Sequence, residues 1–317
     1  MDFSHGLLWA GFAVLIVGVM ALDLGVLNRN PHETRLKEAL TWSGVWISLG
    51  LLFSVFVYFF LGFESAVQYV TGYLVEESLS VDNLFVFLLI FTYFGVPARF
   101  QHKILFWGII GAVVLRALFI VAGVTLIQKF HWVIYVFGAF LVFTGLKLAR
   151  QGEQKVDPGS NPLLKLFRKL VPVGGSVESG TFLVRENGRL KATPLMAVLI
   201  AVETTDLVFA VDSIPAVLAV STDPFIVYTS NVFAILGLRS LYFALAGIMG
   251  MFTYLRHGLV VVLTFVGVKM LLSDIFHIPA LAALGVIVVV LGGSVVLSVL
   301  KGGKRTADGA PPDSVKQ

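Results

Sequence analysis

Apolar residues run nearly unbroken for long stretches of this chain, and polar residues gather between the runs instead of alternating with them. An α-helix needs about 20 mostly apolar residues to cross a hydrocarbon core. Nine runs approach that length, over roughly 6–27, 39–61, 66–94, 103–127, 131–149, 193–220, 225–249, 257–273 and 279–300. The pattern predicts an all-α polytopic membrane protein with about nine transmembrane helices. The first run is too long for the apolar part of a cleaved leader. Met1 to His5 also carries no Lys or Arg, so this run is expected to stay as a span.

Composition agrees with this reading: 57% of the 317 residues are hydrophobic and 13% are charged, with a mean hydropathy of +0.92. The net charge of +4 does not imply nucleic acid, because the basic residues follow topology. Of 23 Lys and Arg, 18 lie in the 28–38, 95–103, 150–192 and 250–257 loops and the tail after residue 300. The opposite side carries only Lys129. That asymmetry predicts an external N-terminus and a cytoplasmic C-terminus. The chain divides into an N-terminal membrane half (1–149, spans 1–5), a cytoplasmic basic loop (150–192), a C-terminal membrane half (193–300, spans 6–9) and a cytoplasmic, disordered tail (301–317). Within the loop, Pro162 to Val171 reads either as an amphipathic helix on the inner leaflet or as a solvated linker. Thr181–Arg185 and Arg189–Thr193 flank Glu186-Asn187-Gly188 as a hairpin would.

The middle of the chain repeats. Arg116-Ala117-Leu118-Phe119 recurs as Arg239-Ser240-Leu241-Tyr242, Phe143-Thr144-Gly145-Leu146-Lys147 as Phe265-Val266-Gly267-Val268-Lys269, and Asp82-Asn83-Leu84-Phe85 as Asp206-Leu207-Val208-Phe209. Asp82 to Arg116 is 34 residues and Asp206 to Arg239 is 33. Spans 3–5 thus correspond to spans 6–8. An offset of three spans makes the units an inverted repeat, the plan of many secondary transporters.

The chemistry lies in spans 3 and 6. Span 3 holds Glu76, Glu77, Ser78, Asp82 and Asn83, and span 6 holds Glu203, Thr204, Thr205, Asp206, Asp212 and Ser213. Each carboxylate at the bilayer centre costs roughly 2.5–3.5 kcal/mol, so these groups must face each other, a base, a cavity or a cation. Glu203 and Asp206 lie about 60° apart on one helix face. Pro215 is expected to break span 6 near Asp212, turning that carboxylate inward and freeing carbonyl oxygens. Arg116 and Arg239 are the intramembrane charge partners, able to form buried ion pairs with Asp82 and Asp206. Lys147 and Lys269, near span ends, are expected to snorkel. Asp23 is either an interfacial helix-end charge or part of a cytoplasmic mouth. The chain has no cysteine, which removes thiolate ligands and thiol redox chemistry. The remaining ligands are oxygens, which suit Mg, Ca and Mn. Asn83 and Ser213 are expected to complete an oxygen cage beside their aspartates.

These stretches resemble the TerC family of integral membrane proteins, most closely its Alx-type members. The resemblance rests on Gly72 to Asn83, on Val202 to Ala216 with its Glu203-Thr204-Thr205-Asp206 and Asp212-Ser213-Ile214-Pro215, and on Thr229 to Arg239. It implies an exporter of manganese in a bacterial inner membrane. It also implies a metal path of Glu77, Asp82, Asn83, Glu203, Asp206, Asp212 and Ser213. The expected activity is transport, not enzymatic catalysis, with Mn2+ as substrate and no prosthetic group, the bilayer as partner and no nucleic acid. No phosphate-binding G-x-x-x-x-G-K-[ST] is present to use ATP. Carboxylates that hold a metal when ionised and a proton when neutral would couple export to proton movement. The alternative is a membrane scaffold or assembly factor whose acidic cluster is structural. An intramembrane hydrolase would need a nucleophile motif that the chain lacks.

Overall fold

The computed structural model describes residues 3–22, 36–150, 174, 180–186, 189–248, 254–276 and 278–305. Among them are nine helices: α1 (Phe3–Leu22), α2 (Leu36–Leu61), α3 (Phe63–Tyr93), α4 (Ala98–Lys129), α5 (Val133–Arg150), α6 (Pro194–Leu218), α7 (Pro224–Ile248), α8 (Leu255–Leu271) and α9 (Ala280–Arg305). Each coincides with one expected span, and six (α2, α4, α5, α6, α7 and α9) are long and apolar enough to cross a membrane. The chain is an all-α polytopic membrane protein. A short hairpin, β1 (Leu183–Glu186) and β2 (Arg189–Ala192), pairs Glu186 with Arg189 across the turn. α9 runs on to Arg305, into the stretch assigned to the tail. Pro162 to Val171 and the tail beyond 305 lie outside the described residues.

The helix ends carry ordinary punctuation. Gly62, at φ 91°, is the one residue between α2 and α3. Gly95, at φ 60°, turns the chain after α3, and Pro97 then caps α4. Glycine alone enters the left-handed region without a Cβ penalty. Asp223 caps α7, its Oδ1 accepting from the Phe225 amide at 2.8 Å and the Ile226 amide at 3.3 Å. The break expected at Pro215 does not occur, because α6 continues to Leu218 with Pro215 inside it. The proline lies one turn from the helix end, so only the bond to the Val211 carbonyl is lost. The helix resumes at once, with the Ala219 amide donating to the Pro215 carbonyl at 3.0 Å.

α7 is the central helix: 89% of its apolar window is buried, against 22% for α2, α5 and α9, whose outer faces are left to lipid. The repeat is visible in the packing. The equivalent pairs α3·α6, α4·α7 and α5·α8 all touch, as do the reciprocal crosses α3·α7 and α4·α6. The α5·α8 crossing is reciprocal down to the residue. A Cβ on Gly145 would meet Thr264 and the Val260 carbonyl, and one on its counterpart Gly267 would meet Val142 and the Gly138 carbonyl.

The two ends of the bundle differ. At one end the hairpin docks on the start of α4: Lys103 Nζ donates to the Gly180 carbonyl at 2.8 Å and lies 5.1 Å from the centre of the Phe182 ring. At the other, Glu64, Gln68, Ser221, Asp223, Lys269 and Ser273 are among the residues lining an open cleft. There Lys269 Nζ donates to the Ala219 carbonyl at 3.3 Å, so this lysine caps the carbonyl end of α6 instead of snorkelling.

Candidate functional site

Four central helices, α3, α4, α6 and α7, each bring a polar side chain to one point in the apolar core. Arg116 of α4 is fully buried there. Its Nη1 donates to Glu76 Oε1 of α3, to Asn231 Oδ1 of α7 at 3.0 Å and to Ser213 Oγ of α6 at 3.3 Å. Its Nη2 donates to Asp206 Oδ1 of α6 at 3.4 Å. Asn231 Nδ2 donates to the other Glu76 oxygen at 2.9 Å, so both oxygens of that carboxylate are held. Asp206 and Ser213 are seven residues apart, two turns along one face of α6. That spacing lets a single guanidinium reach both.

One arginine against two carboxylates leaves this cluster short of positive charge. Buried atoms left without a hydrogen-bond partner include Asp206 Oδ2, Glu203 Oε2, Glu77 Oε2, Asn83 Nδ2 and Arg116 Nε. Buried polar atoms are almost always bonded, so their concentration here marks the site. Glu203, one turn before Asp206, is pressed against α4: its carboxylate occupies the space a Cβ on Gly111 would need. Asn83 is buried on α3.

Arg239, the counterpart of Arg116 in the second repeat, is buried on α7. It lines a narrow gap, barely wide enough for a water, together with Asp206, Phe87, Leu105 and Val202. Asp206 therefore borders both arginines of the repeat, Arg116 by direct contact and Arg239 across this gap. Asp82 and Asp212 belong to α3 and α6, but their side chains lie outside the described residues, as does all of Asp23. Lys147, near the end of α5, is exposed.

Among the described residues, no three His, Asp or Glu side chains converge into a ready-made metal cage. The donor set at Arg116 is instead two carboxylates, an amide and a hydroxyl, which is hard-cation chemistry with an arginine in the middle. Two members of that set were not among the expected site residues, Glu76 and Asn231. A signal for Glu76 existed: Glu76, Ser80 and Asn83 follow i, i+4, i+7 on one helical face, and all three are buried. Asn231 also had a local signal, the polar triplet Thr229-Ser230-Asn231 within an apolar helix, all three of them buried.

The chain is similar to proteins from several bacteria. An uncharacterised membrane protein of Myxococcus xanthus is 50% identical over 294 residues, which is 93% of this chain and 92% of that protein. Alx of Escherichia coli K12, whose name proposes a membrane-bound redox modulator, is 48% identical over 290 residues, 89% of this chain and 90% of its own. A membrane protein of Rickettsia bellii is 38% identical over 293 residues, covering 92% and 97%. No solved structure matches. The profile of the integral membrane protein TerC family matches residues 61–306, from the end of α2 to the end of α9, which takes in every residue of the Arg116 cluster. This chain belongs to the TerC family of integral membrane proteins.

Proposed function

We propose that this chain exports divalent metal cations, Mn2+ foremost, across a bacterial inner membrane by alternating access of its two inverted repeats. One observation carries the reading: Glu77, Glu203 and Asp206 each keep a buried oxygen without a donor, in a core whose bases are outnumbered by its carboxylates. Carboxylates are expensive at membrane depth and mark ion pathways. The path comprises Glu77, Asp82, Asn83, Glu203, Asp206, Asp212 and Ser213, with Glu76 and Asn231 added. Its ligands are oxygens, and Mn2+ suits a six-coordinate oxygen set that tetrahedral zinc fills poorly. Glu77 and Glu203, which Arg116 does not touch, are the groups to exchange metal for protons. The activity is transport, not enzymatic catalysis. The redox role in the name of the relatives has no thiol to work through here, because the chain has no cysteine.

A membrane scaffold or assembly factor is the second reading. It is favoured by the way Arg116 ties four helices together and by the absence of a converged metal cage among the described residues. Flux separates the two. In sealed proteoliposomes the wild type is expected to move Mn2+, and Asp206→Asn and Asp82→Asn to lose that flux at equal incorporation. Wild-type rates in both variants would remove these aspartates from the path. No flux of any divalent ion through the wild type would leave the scaffold.

A further inference from the structure

Arg116 is bonded in an unusual way for a structural ion pair. A guanidinium that pins helices through a carboxylate frequently presents its planar fork to it and makes two parallel bonds. Here the fork is not used that way. Nε has no partner, Nη2 reaches Asp206 and Nη1 reaches Glu76, so the two carboxylates are bonded to different nitrogens. Nη1 also takes Asn231 Oδ1 and Ser213 Oγ, which gives this one nitrogen three oxygen acceptors from three helices. That is one acceptor more than it has hydrogens. Three oxygens converge on Nη1, as they do around a small cation, and Asp206 Oδ1 stands beside them at Nη2.

We infer that Arg116 is a tethered counter-cation: its two Nη groups hold the position that the transported divalent cation takes, and guanidinium and cation alternate on the oxygens of Glu76, Asp206, Asn231 and Ser213. The inference rests on the export reading and assigns a step within it. When metal occupies the cage, two carboxylates are balanced by a double positive charge and the guanidinium is displaced. When metal leaves, the emptied cage would hold unpaired carboxylates in a low-dielectric core, and such a carrier cannot readily reorient. Arg116 falls back into the cage and makes the empty protein competent to return. It also sets affinity, because metal binds only to the fraction of molecules in which the arginine has left.

The test compares net efflux with exchange, using the full chain in proteoliposomes loaded with radiolabelled Mn2+. Net efflux, into medium without metal, requires the empty carrier to return. Exchange, with unlabelled Mn2+ outside, does not. The wild type is expected to do both. Arg116→Gln is expected to keep exchange while net efflux falls to the level of protein-free vesicles. Both activities kept, or both lost at equal incorporation, would overturn the inference. Arg116→Lys covers the case in which Arg116→Gln fails to fold. Its shorter, single-point charge gives up the link to Asp206 and competes less well, so Mn2+ half-saturation is expected to drop by about tenfold. An unchanged half-saturation would overturn the inference as well. A wild type without Mn2+ exchange would instead bring down the export reading itself, and this inference with it.

Discussion

Gly111 shows how one hydrogen atom in place of a methyl group can shape a site. Its missing Cβ is what lets the Glu203 carboxylate lie against α4. Gly111→Ala must therefore push the Glu203 carboxylate aside. As the far end of a flexible side chain it can swing away at little cost in stability, but a residue of the path loses its position. Mn2+ transport is expected to drop about tenfold or more, the order of loss that follows when a functional group is misplaced by about an ångström. Gly108→Ala, one turn earlier, is the control. There a Cβ would meet only the Val202 Cγ1 methyl at 3.3 Å, and transport is expected to stay near the wild-type rate. Equal rates for the two variants would mean that Glu203 is free to move and that its position carries no function. At this scale the sequence was only partly legible. The carboxylates were conspicuous because nothing apolar explains them, and Asp206, Ser213 and Arg116 were identifiable one by one. That Arg116 would choose Glu76 and Asp206, 40 and 90 residues away, is a matter of tertiary packing. Helical spacing within one span holds no information about it.

Among the elements, α5 and α8 make the tightest crossing. A Cβ on Gly267 would sit 2.7 Å from the Gly138 carbonyl oxygen, and one on Gly138 would sit 2.9 Å from the Gly267 carbonyl oxygen. Backbone cannot rotate out of the way, so the helices would have to separate. In a bilayer, where helices associate through close packing of small residues, that separation forfeits the contact. Gly138→Ala and Gly267→Ala are each expected to lower stability by about 1–3 kcal/mol. Their double variant should cost less than the sum, because both widen the same gap. Thermal unfolding in detergent measures this, with Gly285→Ala as reference, since nothing lies within 4 Å of a Cβ there. Unchanged melting in both single variants would mean that the crossing is looser than described. Helix existence was legible from run length alone, and the nine helices fall where the apolar runs do. The effect of Pro215 was not. A proline past the first turn removes one hydrogen bond, but whether the helix survives depends on how much helix follows and on what packs around it.

For the whole molecule, the 18-to-1 distribution of Lys and Arg and the two unlike ends of the bundle fit together. The hairpin lies within the basic 150–192 loop, and the cleft at Glu64, Asp223 and Lys269 opens at the other end. A reporter inserted in that loop is expected to read cytoplasmic and one at the N-terminus external. Finding both on the same side would mean an even number of crossings between them instead of five. The inverted repeat was legible because its three short motifs keep their spacing, and spacing within a helix pair survives where identity does not. What the motifs could not convey is the manner of union. The reciprocal contacts of Gly145 with α8 and of Gly267 with α5 mean that each half carries, in its own surface, the mould of the other. Both surfaces belong to α5 and α8, and the segment that joins the halves, residues 151–193, includes neither helix. Two polypeptides severed within it would still recognise each other in the bilayer, because complementary shape and not the covalent tether makes them one protein.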